Sequence, residues 1–188
     1  SQDARVEGGE NIFIQDANDP DLWLPEKGIG KRLFKSGDIF YLQTANGFRY
    51  RFEKLSTTYY QLQDFKDSHQ NLYSLYYQNK RLIKIIEPAG RYFEIIYGDA
   101  GGKKVITKVA SSDGRIVQYH YTSVNGWVSL TDVLYDDGTQ AVYSYNSNTP
   151  PEKPVLSHAI DPRTTDNATD MKYTYNANAG VTGFMAEQ

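Results

Sequence analysis

Three turn-forming glycines, Gly90, Gly114 and Gly138, recur on a 24-residue step, and a tyrosine follows seven positions after each, at Tyr97, Tyr121 and Tyr145. Apolar residues keep the same step in two further columns: Leu82, Ile106 and Leu130, then Ile85, Val109 and Val133. Four columns in one register mean that one supersecondary unit recurs. Such a chain builds by stacking neighbouring units, each too small to bury its apolar side alone. Weaker copies flank the array. Upstream, Asn46-Gly47 precedes Phe48, Tyr50 and Phe52, and Asn71 takes the turn position before Gly90, ahead of Tyr73, Leu75 and Tyr77. Downstream, Val155, Leu156 and Ile160 open a copy that closes on Tyr173-Thr174-Tyr175, a longer step from Tyr145 than the regular one. The excess falls in 146–154 and 162–169, polar or proline-rich tracts that read as long loops.

Each unit reads as two strands. Over 116–121, alternation puts Val117, Tyr119 and Tyr121 on one face and Ile116, Gln118 and His120 on the other; Phe93, Ile95 and Tyr97, and Ala141, Tyr143 and Tyr145, repeat that choice. Period-two patterning with β-branched and aromatic enrichment is the strand signature. Asp113-Gly114, Asp137-Gly138, Pro88-Ala89-Gly90 and Asn125-Gly126 supply hairpin turns. The spacing of three between the columns that begin at Leu82 and Ile85 does not fit a flat strand, and a β-bulge reconciles it while curving the sheet. The expected fold is therefore all-β: a curved antiparallel sheet of tandem β-hairpins with little helix. Residues 1–36 fall outside the pattern. They are expected to be irregular loops around Ile12-Phe13-Ile14 and Leu22-Trp23-Leu24, with Gly8-Gly9, 16–21 and 28–30 as loops and Trp23 and Leu24 as a candidate cap for an exposed sheet edge.

Composition removes several function classes. The net charge is −3 with no cluster of basic residues, which argues against nucleic acid as a partner. No apolar run approaches the roughly 18–20 residues of a membrane-spanning helix. Cysteine is absent, so there is no disulfide framework, thiol nucleophile or cysteine metal site. The chain opens on Ser1, as expected of a processed or trimmed product. His69, His120 and His158 share no metal-like spacing, and His120 is explained by the polar face of its strand. The carboxylates of 16–21 lack the glycine at position six and the glutamate at position twelve of a calcium loop. Gly98 to Gly102 lacks the Gly-Lys-Ser/Thr of a phosphate loop, no Gly-x-Ser-x-Gly elbow occurs, and Asp136-Asp137 lies in a turn. Asn167-Ala168-Thr169 is a formal glycosylation sequon, a hint of an exposed loop. The sequence nominates no catalytic, cofactor-binding or metal residue.

The segments Gly90-Arg91-Tyr92-Phe93-Glu94-Ile95-Ile96-Tyr97, Gly114-Arg115-Ile116-Val117-Gln118-Tyr119-His120-Tyr121 and Asp137-Gly138-Thr139-Gln140-Ala141-Val142-Tyr143-Ser144-Tyr145 resemble RHS/YD repeats: a turn glycine, often an arginine, then a strand closing in Tyr-x-Tyr-Asp. The resemblance spans roughly 37–184. It divides the chain into 1–36 and an array over 37–188, with units near 37–60, 61–80, 81–103, 104–127, 128–154 and 155–184. Gly98, Thr122, Asn146 and Asn176 stand where the family often has aspartate, in positions expected to keep a turn role, and the family's aspartate-rich self-cleavage motif has no counterpart. The resemblance implies a non-enzymatic wall segment of a larger, exported or effector-associated bacterial protein, secreted or at the cell surface. Its partners would be other repeats or domains of the same longer polypeptide, including an enclosed toxin-like C-terminal domain.

The repeat positions Gly90, Gly114, Gly138, Tyr97, Tyr119, Tyr121, Tyr143, Tyr145, Tyr173 and Tyr175 are thus read as structural. Because the tyrosines share a face with Val117, Phe93 and Ile95, a buried ladder is expected. The rival reading is a carbohydrate- or protein-binding module at the bacterial surface, with the rings as an exposed stripe that stacks on a glycan or a partner.

Overall fold

A computed structural model describes residues 3–6, 11–26, 30–124, 126–146, 154–161, 170–175 and 184–187. Among them every regular element is a β-strand. The chain divides into two compact units, Ser1–Tyr92 and Phe93–Gln188.

In the first unit the strands are β1 (Asp3–Val6), β2 (Asn11–Gln15), β3 (Leu22–Pro25), β4 (Lys31–Ser36), β5 (Ile39–Thr44), β6 (Arg49–Lys54), β7 (Tyr60–Lys66), β8 (Leu72–Gln78) and β9 (Arg81–Ile86). Each pairs antiparallel with the next. In the second unit β10 (Tyr92–Ala100), which begins on the last residue of the first unit, is followed by β11 (Lys103–Ser111), β12 (Ile116–Val124), β13 (Trp127–Leu134), β14 (Gln140–Asn146), β15 (Val155–Ile160), β16 (Asp170–Tyr175) and β17 (Phe184–Glu187). These also pair antiparallel in chain order. The 24-residue period is a pair of strands: β10, β12 and β14 start at 92, 116 and 140, and β11 and β13 at 103 and 127.

Two turn types alternate. The loops 44–48, 67–71 and 87–91 of the first unit and 111–115 and 135–139 of the second share one hydrogen-bond pattern. In the 111–115 loop, Ser111 N donates to Arg115 O at 2.9 Å and Gly114 N donates to Ser111 O at 3.0 Å. This is a three-residue hairpin loop, a type I turn closed by one left-handed residue. Gly90, Gly114 and Gly138 hold that residue at φ 87°, 91° and 80°, which explains their fixed spacing. The aspartates before Gly114 and Gly138 do not share the positive φ. Asp113 instead accepts from Ser111 and pairs with Arg115 at 2.7 Å, while Asp137 accepts the Thr139 N–H at 2.9 Å. In the second copy the left-handed residue is Gln70 (φ 67°), not Asn71. The Asp67 carboxylate makes this tolerable, because it accepts from the backbone of His69 and from both the backbone and side chain of Asn71. Between such loops come tighter turns at Asn79-Lys80 in the first unit and Gly101-Gly102 in the second, with positive φ at both residues.

The bulges sit where the spacing of three demands them. Tyr76 opposes Lys84 but Tyr77 opposes Leu82, leaving Ile83 as the extra residue. The same shift follows Ile96/Tyr97, His120/Tyr121 and Ser144/Tyr145, with Thr107, Thr131 and Ser157 as extras, and also Arg51/Phe52, with Gln63. A bulge inserts one residue, so Leu82 and Ile85 face the same way although three apart.

Three further expectations are corrected. Residues 1–36 are not irregular: they contribute β1 to β4, strands of four to six residues too short for alternation to reveal. Gly98, Thr122 and Asn146 lie inside β10, β12 and β14, not in turns, because the strands continue past the closing tyrosine. Phe93, expected among buried residues, is 53% exposed. Gly8-Gly9, Gly28, Asn125, the greater part of 146–154, the 162–169 loop with its sequon, and Asn176 lie outside the described residues.

Candidate functional site

The bulges and the strand period together place the repeat residues on one face of each unit's sheet. In the second unit that face carries Ile95, Val109 and Val117 in one cross-strand row, Tyr119, Val133 and Ala141 in the next, and Tyr143, Ala159 and Met171 in a third. Tyr97, Tyr121 and Tyr145 oppose Ile106, Leu130 and Leu156 just past each bulge. The tyrosines' cross-strand partners are therefore aliphatic, and the rings do not oppose one another. Tyr173 faces Ala186 in β17, and Tyr175 pairs with Phe184; the side chain of Tyr175 lies outside those described.

These tyrosines are half-buried. Among the described residues of this face the well-buried side chains are small or medium: Val133, Ala141 and Ala159. A single sheet layer shields one side of a ring and leaves its edge to solvent, so burial stops half-way. Desolvation pushes the phenols of Tyr121, Tyr143 and Tyr145 above their ordinary pKa, keeping them neutral donors. Tyr121 uses its hydroxyl to donate to the Ile106 carbonyl at 2.8 Å, tying one hairpin to the next at the bulge.

The first unit builds its face differently. Phe13, Trp23, Leu33 and Leu42 form a buried cluster, with Phe40, Tyr50 and Phe52 packed against it. Phe48, Tyr50, Phe65 and Tyr73 run across β6, β7 and β8 as a stack, with centroid separations of 6.2, 5.6 and 4.7 Å. The ring ladder expected for the 24-residue columns lies here instead. Phe65 was missed in the sequence, although its spacing from Leu62 repeats that of Ile85 from Leu82. The signal was displaced because this copy is shorter than those that follow it.

Neither protein-family models nor curated proteins match this chain. The site is therefore read from its chemistry alone.

The opposite face of the second unit mixes polar residues with Ile96, Leu134, Val142 and Ile160. His120 pairs with Asp132, whose carboxylate also accepts from Gln140 at 2.9 Å and Thr131 at 3.2 Å. Although burial pushes Asp132 up, the bonds from His120 and Gln140 hold its carboxyl below the usual value. An aspartate can orient an imidazole in this way, but the His120 side chain is 53% exposed on an open sheet surface. General-base work needs a reacting group held within hydrogen-bond reach in a shaped site. His69 and His158 lie apart from it, each beside its own serine. In the first unit Arg51 donates to Asp64 at 2.6 Å and pairs with Glu53, beside an open depression of about 430 Å³ that includes Gln61 and Ser74. In the 16–21 loop, Asp16 and Asp19 accept backbone N–H groups of that loop. Among the described residues no three His, Asp or Glu side chains gather as a metal site, and no helix is long and apolar enough to cross a membrane.

Proposed function

We propose that this chain is a non-catalytic wall segment of the RHS/YD-repeat type, carried by a larger exported or effector-associated bacterial protein. Its aromatic face would bound or display another polypeptide. The observation that carries this reading is the coincidence of three features: positive-φ glycines, bulges and half-buried tyrosines recur together on one 24-residue step in β10 to β14. Stacking such hairpins extends one apolar side continuously, as a wall requires. The arginines after two turn glycines add a local reason for the repeat pattern, because Arg91 folds back on Glu87 at 2.8 Å and Arg115 on Asp113. The first four strands, with the most buried rings, are suited to cap the array.

The half-exposed tyrosines equally favour a second reading, a module that stacks them on a surface glycan or partner protein. Flanking coding sequence and a glycan array separate the two. Further 24-residue copies followed by a distinct C-terminal domain support the wall. Glycan binding that is lost in Tyr119→Ala, Tyr143→Ala and Tyr145→Ala while melting is unchanged supports the binding module and overturns the wall.

A further inference from the structure

One place on the aromatic face breaks its own pattern. In the column Phe93, Val117, Ala141 the side chain shrinks to a methyl group. The same happens three positions after the residue opposite the closing tyrosine: Val109 follows Ile106, Val133 follows Leu130, but Ala159 follows Leu156. Ala141 and Ala159 lie on neighbouring strands, β14 and β15, and both are buried. Where the other copies carry phenylalanine or valine the sheet has a floor without bulk, and an open depression of about 480 Å³ lies above it. Sites for small ligands are concave, mainly apolar and marked by a few convergent polar groups.

The walls are chemically one-sided. Tyr135 and Tyr143 supply aromatic surface, Met171 a polarizable thioether, and Asp137 and Asp161 carboxylates. Tyr135 is 37% exposed, so its ring is presented and not packed away. Hydrogen bonds from the Thr139 hydroxyl and N–H hold the Asp137 carboxyl below its usual range, which keeps it ionised. Thr139 and the two tyrosines add hydroxyls, and among the described residues that line the depression there is no lysine, arginine or histidine. With no positive charge among them, aromatic faces and carboxylates over an apolar floor suit an organic cation.

We propose that the depression framed by Tyr135, Tyr143, Asp137 and Asp161 is a binding site for an organic cation, an alkylammonium group such as ends a lysine side chain or a quaternary ammonium compound. This site does not depend on the wall reading. The apolar floor takes the alkyl part, the tyrosine rings face the charge, and the carboxylates complement it.

The test is an amide chemical-shift titration of the intact chain with N-acetyl-lysine amide, tetramethylammonium, the neutral N-acetyl-norleucine amide and glucose. Saturable shifts at 135–143 and 159–161 are expected with the two cations and not with the neutral probes. Ala141→Val restores the residue found at position 117 and should abolish those shifts while leaving the rest of the spectrum unchanged. If that variant fails to fold, Tyr135→Leu, at a partly exposed position, provides the test with an expected loss of about two- to fivefold in affinity. Tighter binding of the lysine amide assigns a polypeptide side chain, and tighter binding of tetramethylammonium a free quaternary compound; either upholds the site. Equal binding of norleucine amide, binding of glucose in place of the cations, no saturable binding at all, or cation affinity unchanged in folded Ala141→Val or Tyr135→Leu overturns it.

Discussion

Among the described residues, the half of the molecule with the most regular sequence has the least buried interior. In Phe93–Gln188 glycine, bulge and tyrosine recur on a constant step, yet its well-buried hydrophobic side chains among the described residues are Val133, Ala141 and Ala159. In Ser1–Tyr92 the matching turns at Gly47, Gln70 and Gly90 are unevenly spaced, but Phe13 is fully buried and Trp23, Leu33 and Leu42 surround it. A repeat is kept regular by backbone needs, namely a left-handed residue at each turn and an extra residue at each bulge. Burial is set by which side chains fill the face. The two demands are separable, and this chain separates them by region.

Substitutions can break or sharpen that contrast. The largest effect is expected in the buried cluster: Phe13→Ala should cost about 3–5 kcal/mol, measured by urea unfolding, and Tyr143→Ala clearly less. Equal losses would erase the difference between the units. Trp23 refines this test, because its indole N–H is buried without a partner among the described residues. Trp23→Phe removes that orphaned donor and should cost much less than Trp23→Ala. Next come the turns. Gly114→Ala places a Cβ at φ 91° and should lose about 1–2 kcal/mol, whereas Gln70→Gly relieves the same conformation at φ 67° and should raise stability by up to about 1 kcal/mol.

Smaller still is the stacking. A double-mutant cycle on Phe65 and Tyr73, whose rings lie 4.7 Å apart and nearly parallel, should return a coupling of about 0.5–1.5 kcal/mol. The Tyr121 and Leu130 pair should return less. Last is pH. Hydrogen bonds from Asn71 and Thr139 hold the carboxyls of Asp67 and Asp137 below their ordinary values. A depressed folded value contributes stability that is fully present above the unfolded carboxylate range and is lost as pH falls through the folded value. The urea midpoint should therefore decline below about pH 4, and the decline should be shallower in Asp67→Asn.

Much of this was legible because spacing reports backbone geometry. Leu82 and Ile85, three apart, forecast the bulge that the pairing of Tyr77 with Leu82 displays. Gly90, Gly114 and Gly138 marked the left-handed turn residues. What was illegible had a physical cause each time. Gln70, and not the expected Asn71, is the left-handed residue because Asp67 stabilises the turn by bonds from Asn71, which no residue preference announces. The strands of residues 3–36 are too short for a period to show, so the deepest core of the first unit went unread. Phe65 was hidden by a copy shorter than its neighbours. The depression above Ala141 and Ala159 was written in the sequence as two small residues, but their adjacency is a product of strand register.

Whether bulged hairpins turn the aromatic and aliphatic columns to a common side is best tested by cross-strand nuclear Overhauser contacts at Tyr121. Strong backbone contacts between Tyr121 and Leu130, with His120 opposite Asp132, are the predicted result. Contacts between Tyr121 and Thr131 would mean an unbulged ladder, send Leu130 to the face that carries His120, and contradict the account.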